Sequence, residues 1–164
     1  MKDGNMHWKV RRAFLERVEI FSGLGRRDLK ALAKSCQEAS YADGEVLCRQ
    51  GERGMAAFLL VSGRVRVETE RKKGEVIVVS ELGQGQFVGE LSVIDGAERV
   101  ATIRAVGEVE ALVLTQWSML ALLKSRPSIA AAMLPIIVKR FRQTATELRR
   151  QDRESDTGKI STYH

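Results

Sequence analysis

Two cysteines, two histidines and two prolines are all that the 164 residues contain. Cys36 and Cys48 stand in no metal-ligand spacing, and His7 and His164 lie near the two ends, so no metal site is expected. Two isolated thiols fit a reducing compartment. No apolar run approaches the ~20 residues that a membrane-spanning helix needs. The N-terminal "MKDGNMHWKVRRAFLERVEIF" is broken by charge every few residues, which excludes the apolar core of a signal peptide. The expected compartment is therefore the cytoplasm, with no membrane partner. Histidine is missing from the middle of the chain and no serine nucleophile motif occurs, so general acid–base and acyl-transfer chemistry lack their usual groups. These absences point to a binding protein rather than an enzyme.

What is present is enough for one domain with a real core. Hydrophobic residues make up 44% of the chain, too many for a disordered one. The net charge of +6 is compatible with an acidic partner such as nucleic acid, a membrane surface or a phosphorylated ligand. Much of the excess falls in helical segments, at Arg11, Arg12, Arg26, Arg27, Lys139, Arg140, Arg142, Arg149 and Arg150, where solvated helix faces are the simpler explanation.

The pattern changes twice along the chain. Trp8, Ala13, Phe14, Val18 and Phe21 recur at roughly helical spacing, and after Gly23 and Gly25 a second helix carries Leu29, Leu32 and Ala33. From about Ser40, short β-prone runs alternate with glycine turns: "ADGE", "QGERG", "VSGRV", "RKKGE", "GQG" and "VGE". In "RVRVETE", Val65 and Val67 face one way and Arg64, Arg66, Glu68 and Glu70 the other. After Thr115 the chain turns helical again. "QWSMLALLKS" is one short helix, and a longer one opens at Pro127. Its expected apolar stripe is Ile129, Met133, Ile136, Ile137, Phe141, Thr144 and Leu148, with a kink at Pro135. The expected flexible tail is residues 155–164. The initiator methionine and this polar tail favour a complete protein.

One stretch needs more explanation than periodicity gives. In "FVGELSVIDGAERVATIRA", residues 87–105, the carboxylate of Glu90 follows Gly89 inside an apolar run, and Arg99 ends a loop of small residues before an apolar strand. Burying either charge unpaired is costly. Either the two pair with each other, or Glu90 caps a short helix at Gly89–Ile94, or both hold a ligand. Gly89 allows close backbone approach, and Ala97, Val100 and Ala101 leave backbone N–H groups unobstructed around Arg99. N–H groups, a helix start and one guanidinium suit a phosphate, and a nearby carboxylate suits a sugar hydroxyl.

The same stretch resembles the phosphate-binding cassette of the cyclic nucleotide-binding domain family, whose pattern is roughly Phe-Gly-Glu-Leu-Ala, a short loop, then Pro-Arg-x-Ala-Thr-x-Arg-Ala. The likeness runs from about Phe21 to Leu148 and includes the glycines of "ADGE", "RQGE" and "VSGRV". Two departures stand out: Val88 is inserted between Phe87 and Gly89, as in the catabolite-activator branch, and Glu98 replaces the usual proline. By this resemblance Glu90 binds the ribose 2′-hydroxyl and Arg99 the cyclic phosphate. The backbone at Val100 and Ala101 assists, with Gly89, Leu91 and Ser92 on the sugar side. Val76 and Val78 would pack on the base or sugar, and Thr144 would read the adenine amino group. Val100 has no hydroxyl to bond a guanine, which leans toward cyclic AMP over cyclic GMP.

The implied fold is α+β, mainly β: an eight-stranded double-stranded β-helix or jelly-roll β-roll flanked by helices. One domain is expected over residues 1–155, with N-terminal helices at 1–38, the roll at 39–116 and C-terminal helices at 117–153. The implied function is a regulatory sensor, in which nucleotide binding repositions the C-terminal helices toward an unknown protein effector or a second copy. The alternative is part of a catabolite-activator-type transcription regulator, or the regulatory piece of a larger channel or enzyme. No DNA-binding helix-turn-helix follows the long helix in this sequence.

Overall fold

The computed structural model describes residues 6–72 and 74–159. Residues 1–5, which carry the initiator methionine, and 160–164, the end of the expected flexible tail, lie outside them.

The chain begins with α1 (Trp8–Leu15), a 3-10 turn (Glu19–Phe21) and α2 (Arg26–Ser35). The strands follow as β1 (Gln37–Tyr41), β2 (Val46–Cys48), β3 (Ala56–Glu70), β4 (Val76–Leu82) and β5 (Phe87–Val88). The short helix α3 (Glu90–Asp95) separates these from β6 (Thr102–Thr115), and α4 (Gln116–Ser125) and α5 (Pro127–Lys159) close the chain. All the strand pairings are antiparallel, in the order β1-β6-β3-β4, with β2 added on β6 and β5 on β3.

Six strands form among the described residues, where the sequence reading expected eight. The difference lies at two glycines. The breaks expected at "VSGRV" and "VGE" are irregularities inside long strands, so β3 and β6 run through them as 15 and 14 residues. The register slips from Ser62↔Glu110 to Arg64↔Val106 across Gly63, which has φ +84°. A Cβ at Gly63 would meet the Glu108 carbonyl oxygen at 2.2 Å, so this bulge needs glycine for both conformation and space.

Residues 57–61 of β3 are buried on both faces, and alternation divides them between two cores. Ala57, Leu59 and Val61 join Leu112 and Leu114 against the helices, with Leu15, Phe21, Leu32, Met119, Ile129 and Met133. Phe58, Leu60 and Val65 join Ile103, Ala105, Val109 and Ala111 on the other face. Glu68, on the face opposite Val65 and Val67, is buried too, where Arg104 on the neighbouring strand holds it at 3.2 Å. Cys36 and Cys48 are both free and buried, and burial pushes the Cys36 thiol up to about 12.

At the C-terminal end α4 and α5 meet at a bend of 111°. Asp28 on α2 ties this corner, accepting from Ser128 Oγ at 2.6 Å and Arg126 Nη1 at 3.0 Å. These bonds hold its carboxyl below the usual carboxylate range, so this tie stabilises the fold above that range and is lost as pH falls through the lowered value. The expected stripe on α5 is split. Ile129 and Met133 are buried and Ile136, Ile137 and Arg140 half-buried, but Phe141, Thr144 and Leu148 are exposed. The helix passes through Pro135 and continues to Lys159, beyond the expected onset of the tail at Ser155. No single helix among the described residues is long and apolar enough to cross a membrane.

Candidate functional site

Residues 87–105 fold as β5, the left-handed Gly89, helix α3, a second left-handed glycine at Gly96, a loop, and the start of β6. Three main-chain bonds clamp the loop to the β2–β3 connection: Arg99 N–H donates to Glu52 O at 2.7 Å, Gly51 N–H to Arg99 O at 2.8 Å and Gly54 N–H to Ala97 O at 2.9 Å. The exit of the loop is tied to the β3–β4 hairpin through Gln50. Its N–H donates to Thr102 Oγ1 at 3.0 Å, and its amide oxygen accepts the Glu70 N–H at 2.7 Å.

Arg99 is 6% exposed. One terminal nitrogen donates to the Ala56 carbonyl, the other to the Gly89 carbonyl at 3.5 Å, while Nε is buried without a hydrogen-bond partner among the described residues. Gly89 has φ +84°, and a Cβ there would sit 2.3 Å from Arg99 Nη1, so glycine is what lets the guanidinium lie across this turn. The charge is thus placed by carbonyls, and no carboxylate pairs with it among the described residues.

Glu90 does not pair with Arg99. It opens α3, with 17% of its side chain exposed, and its Oε1 meets Nη1 of Arg140 on α5 at 2.5 Å. Of the three explanations open from the sequence, mutual pairing of the two charges is replaced by separate partners. Arg140 is the site residue that sequence reasoning missed. Its signal was position: it follows Ile129, Met133, Ile136 and Ile137 on the face of α5 that packs on the body, where a basic residue needs an acid.

The other candidate residues are spread around this pair. Ser92 is half-buried against Gly54, whereas Leu91 and Val100 are exposed. Ala101 is half-buried, one residue before the strand register in which Glu68 pairs both Thr102 on β6 and Val78 on β4. Val76 and Val78 are exposed on that edge strand. Thr144 stands one helical turn beyond Arg140, exposed, with its hydroxyl donating to the Arg140 carbonyl at 3.1 Å. The side of α5 that carries Pro135, Val138, Arg142, Thr144 and Leu148 forms an open, shallow surface that does not include Glu90 or Arg99.

A buried arginine under a glycine turn, beside a carboxylate at a helix start, is an arrangement for an anion bearing a hydroxyl. Comparison with known proteins identifies the family. The family described as "Cyclic nucleotide-binding domain" matches residues 38–126. The Cyclic AMP receptor protein of Thermus thermophilus is 31% identical over 129 residues, covering 79% of this chain and 60% of its own length. A cAMP-dependent protein kinase regulatory subunit of Blastocladiella emersonii is 35% identical over 98 residues, covering 60% of this chain and 24% of its own. The crystal structure of the N-terminal domain of a transcriptional regulator from Streptomyces coelicolor superposes with a TM-score of 0.73 at 29% identity, covering 80% of this chain and 94% of that one. The chain therefore spans about three fifths of the Thermus receptor and less of the kinase subunit. With this family match, and with both charged cassette residues in place, the chain belongs to the cyclic nucleotide-binding domain family.

Proposed function

We propose that this domain is a cyclic AMP sensor whose occupancy is read out by the C-terminal helices. The observation that carries the reading is Arg99, a buried guanidinium aligned by the Ala56 and Gly89 carbonyls, with no partner for Nε and no carboxylate to neutralise it among the described residues. One such charge balances the single negative charge of a cyclic phosphodiester. Glu90 accepts the ribose 2′-hydroxyl, and the backbone at Val100 and Ala101 completes the phosphate contacts. Leu91, Ser92, Val76 and Val78 flank the sugar and base, and Thr144 reads the adenine amino group once α5 closes over it. Because Glu90 is already joined to Arg140, any ligand that engages Glu90 acts directly on α5. The energetic requirement is a difference in nucleotide affinity between two positions of that helix.

The test is a titration of the purified chain with cyclic AMP and cyclic GMP, followed by calorimetry and melting. At 100 times the dissociation constant the ligand adds about 2.7 kcal/mol, a rise of roughly 5–10 °C in melting temperature for a chain of this size. Thr144→Ala is expected to weaken cyclic AMP more than cyclic GMP. No heat and no melting shift with either nucleotide at millimolar concentration overturns the sensor reading.

A second copy is the simplest partner for the outer part of α5. Leu134, Val138, Phe141, Ala145 and Leu148 follow one another at spacings of four and three, the seam of a coiled coil, and all but the half-buried Ala145 are exposed. Arg142 and Arg149 flank one side of that seam and Thr144 the other, so a parallel pair avoids the arginine–arginine contacts that an antiparallel pair makes. Light scattering is expected to give twice 18.3 kDa, and Phe141→Asp to return the monomer. A monomeric wild type at high concentration, with and without nucleotide, overturns this part. The cytoplasm and an additional protein effector complete the reading. A second reading, that the chain is the regulatory portion of a longer transcription regulator or channel, is favoured by the partial coverage of the Thermus relative.

A further inference from the structure

Arg140 has a second acidic neighbour. Its Nη1 meets Glu90, and its Nη2 lies 3.5 Å from Oε2 of Glu19, the first residue of the 3-10 turn. The other oxygen of Glu19 is 3.9 Å from Lys139 Nζ. This turn is packed against both elements that the arginine joins. Phe21 meets Phe87 of the cassette with ring centroids 5.2 Å apart, and a Cβ on Gly23 would be 3.4 Å from Ala132 of α5.

A guanidinium is planar, so fixing one terminal nitrogen limits the directions in which the other can face. Glu19 holds the Nη2 end, which aims Nη1 at Glu90 Oε1. Arg140 meets Oε1 of Glu90, and among the described residues no hydrogen bond takes its second oxygen, which stays an acceptor for a ligand hydroxyl.

We propose that Glu19 is a positioning residue for ribose recognition, acting through Arg140 on Glu90. The proposal rests on the reading of Glu90 as the ribose acceptor. Glu19 is about half exposed and its contact with Arg140 is long, so its influence is small, of the size of a solvated ion pair.

The experiment measures the affinity of the full chain for cyclic AMP and for 2′-deoxy cyclic AMP in the wild type, Glu19→Gln, Arg140→Gln and the double variant. Glu19→Gln is expected to weaken cyclic AMP roughly 1.5- to 5-fold. It leaves 2′-deoxy cyclic AMP unaltered, so discrimination between the two falls. In the Arg140→Gln background it has no further effect. Equal loss for both nucleotides, no loss for either, or a loss that persists without Arg140 overturns the proposal while leaving the ribose reading intact. A wild type that binds the two nucleotides equally well overturns the ribose reading, and this proposal with it.

Discussion

Arg99→Ala is expected to lower the affinity for cyclic AMP by roughly 30- to 5000-fold, a loss of about 2–5 kcal/mol, because a bound anion then lies in a buried site without its partner. The geometry separates this effect from a loss of folding. Arg99 makes no ion pair with Glu90, whose partner is Arg140 at 2.5 Å. Among the described residues, removing the guanidinium therefore strips donors from the carbonyls of Ala56 and Gly89 only, at about 1–3 kcal/mol of apo stability. Arg99→Lys is expected to recover part of the affinity, since an ammonium cannot present two planar donors at once. Glu90→Gln costs less than Arg99→Ala, because an amide oxygen still accepts from a hydroxyl, but it reduces discrimination against 2′-deoxy cyclic AMP. Calorimetric affinity and apo melting on the same variants decide the matter. If Arg99→Ala melts far below the wild type yet its folded fraction binds with unchanged affinity, the arginine is a structural residue and the sensor reading fails.

Much of this was legible because the signals were local. The order of helices, strands and helices follows from periodicity, and the reading of residues 87–105 as a cassette from their resemblance to the family pattern. What periodicity does not carry is whether a glycine ends a strand or bends it. Gly63 and Gly107 lie at positive φ inside long strands, and a turn and a bulge present the same residue to the reader. Equally hidden was the partner of Glu90. Arg140 lies 50 residues away in sequence, and only the packing of α5 on the 3-10 turn brings it to the cassette. The apolar stripe of α5 was read as continuous because Phe141 and Leu148 keep the helical spacing. The body of the domain stops at Arg140, so the outer residues of that stripe face solvent. Glu68 shows the converse: alternation set it opposite Val65 and Val67, and it is buried because Arg104 on the neighbouring strand makes burial tolerable.

Gly54→Ala is expected to damage both the fold and the site, for a reason opposite to the usual one. Gly54 is not in a left-handed conformation; it has no room. A Cβ there would stand 2.2 Å from Ser92 Cβ and 2.7 Å from the Ser92 carbonyl oxygen, and that backbone belongs to α3, two residues from Glu90. A flexible side chain yields to such a contact, but the main chain of a helix does so only by moving. The cost is expected at about 3 kcal/mol, the upper end for overpacking, which lowers the melting temperature by roughly 6–12 °C. Displacing α3 also misplaces Glu90 relative to Arg99, so the affinity of the folded fraction falls as well. Gly107→Ala is the control. Gly107 has φ +72° with nothing within 4 Å of its would-be Cβ, so alanine there pays the left-handed cost of about 1–2 kcal/mol and leaves the cassette in place. Melting curves and cyclic AMP titrations of the two variants are expected to diverge: Gly107→Ala loses stability with affinity retained, and Gly54→Ala loses both. Wild-type affinity in the Gly54→Ala protein would mean that the seat of α3 on the β2–β3 connection does not position Glu90.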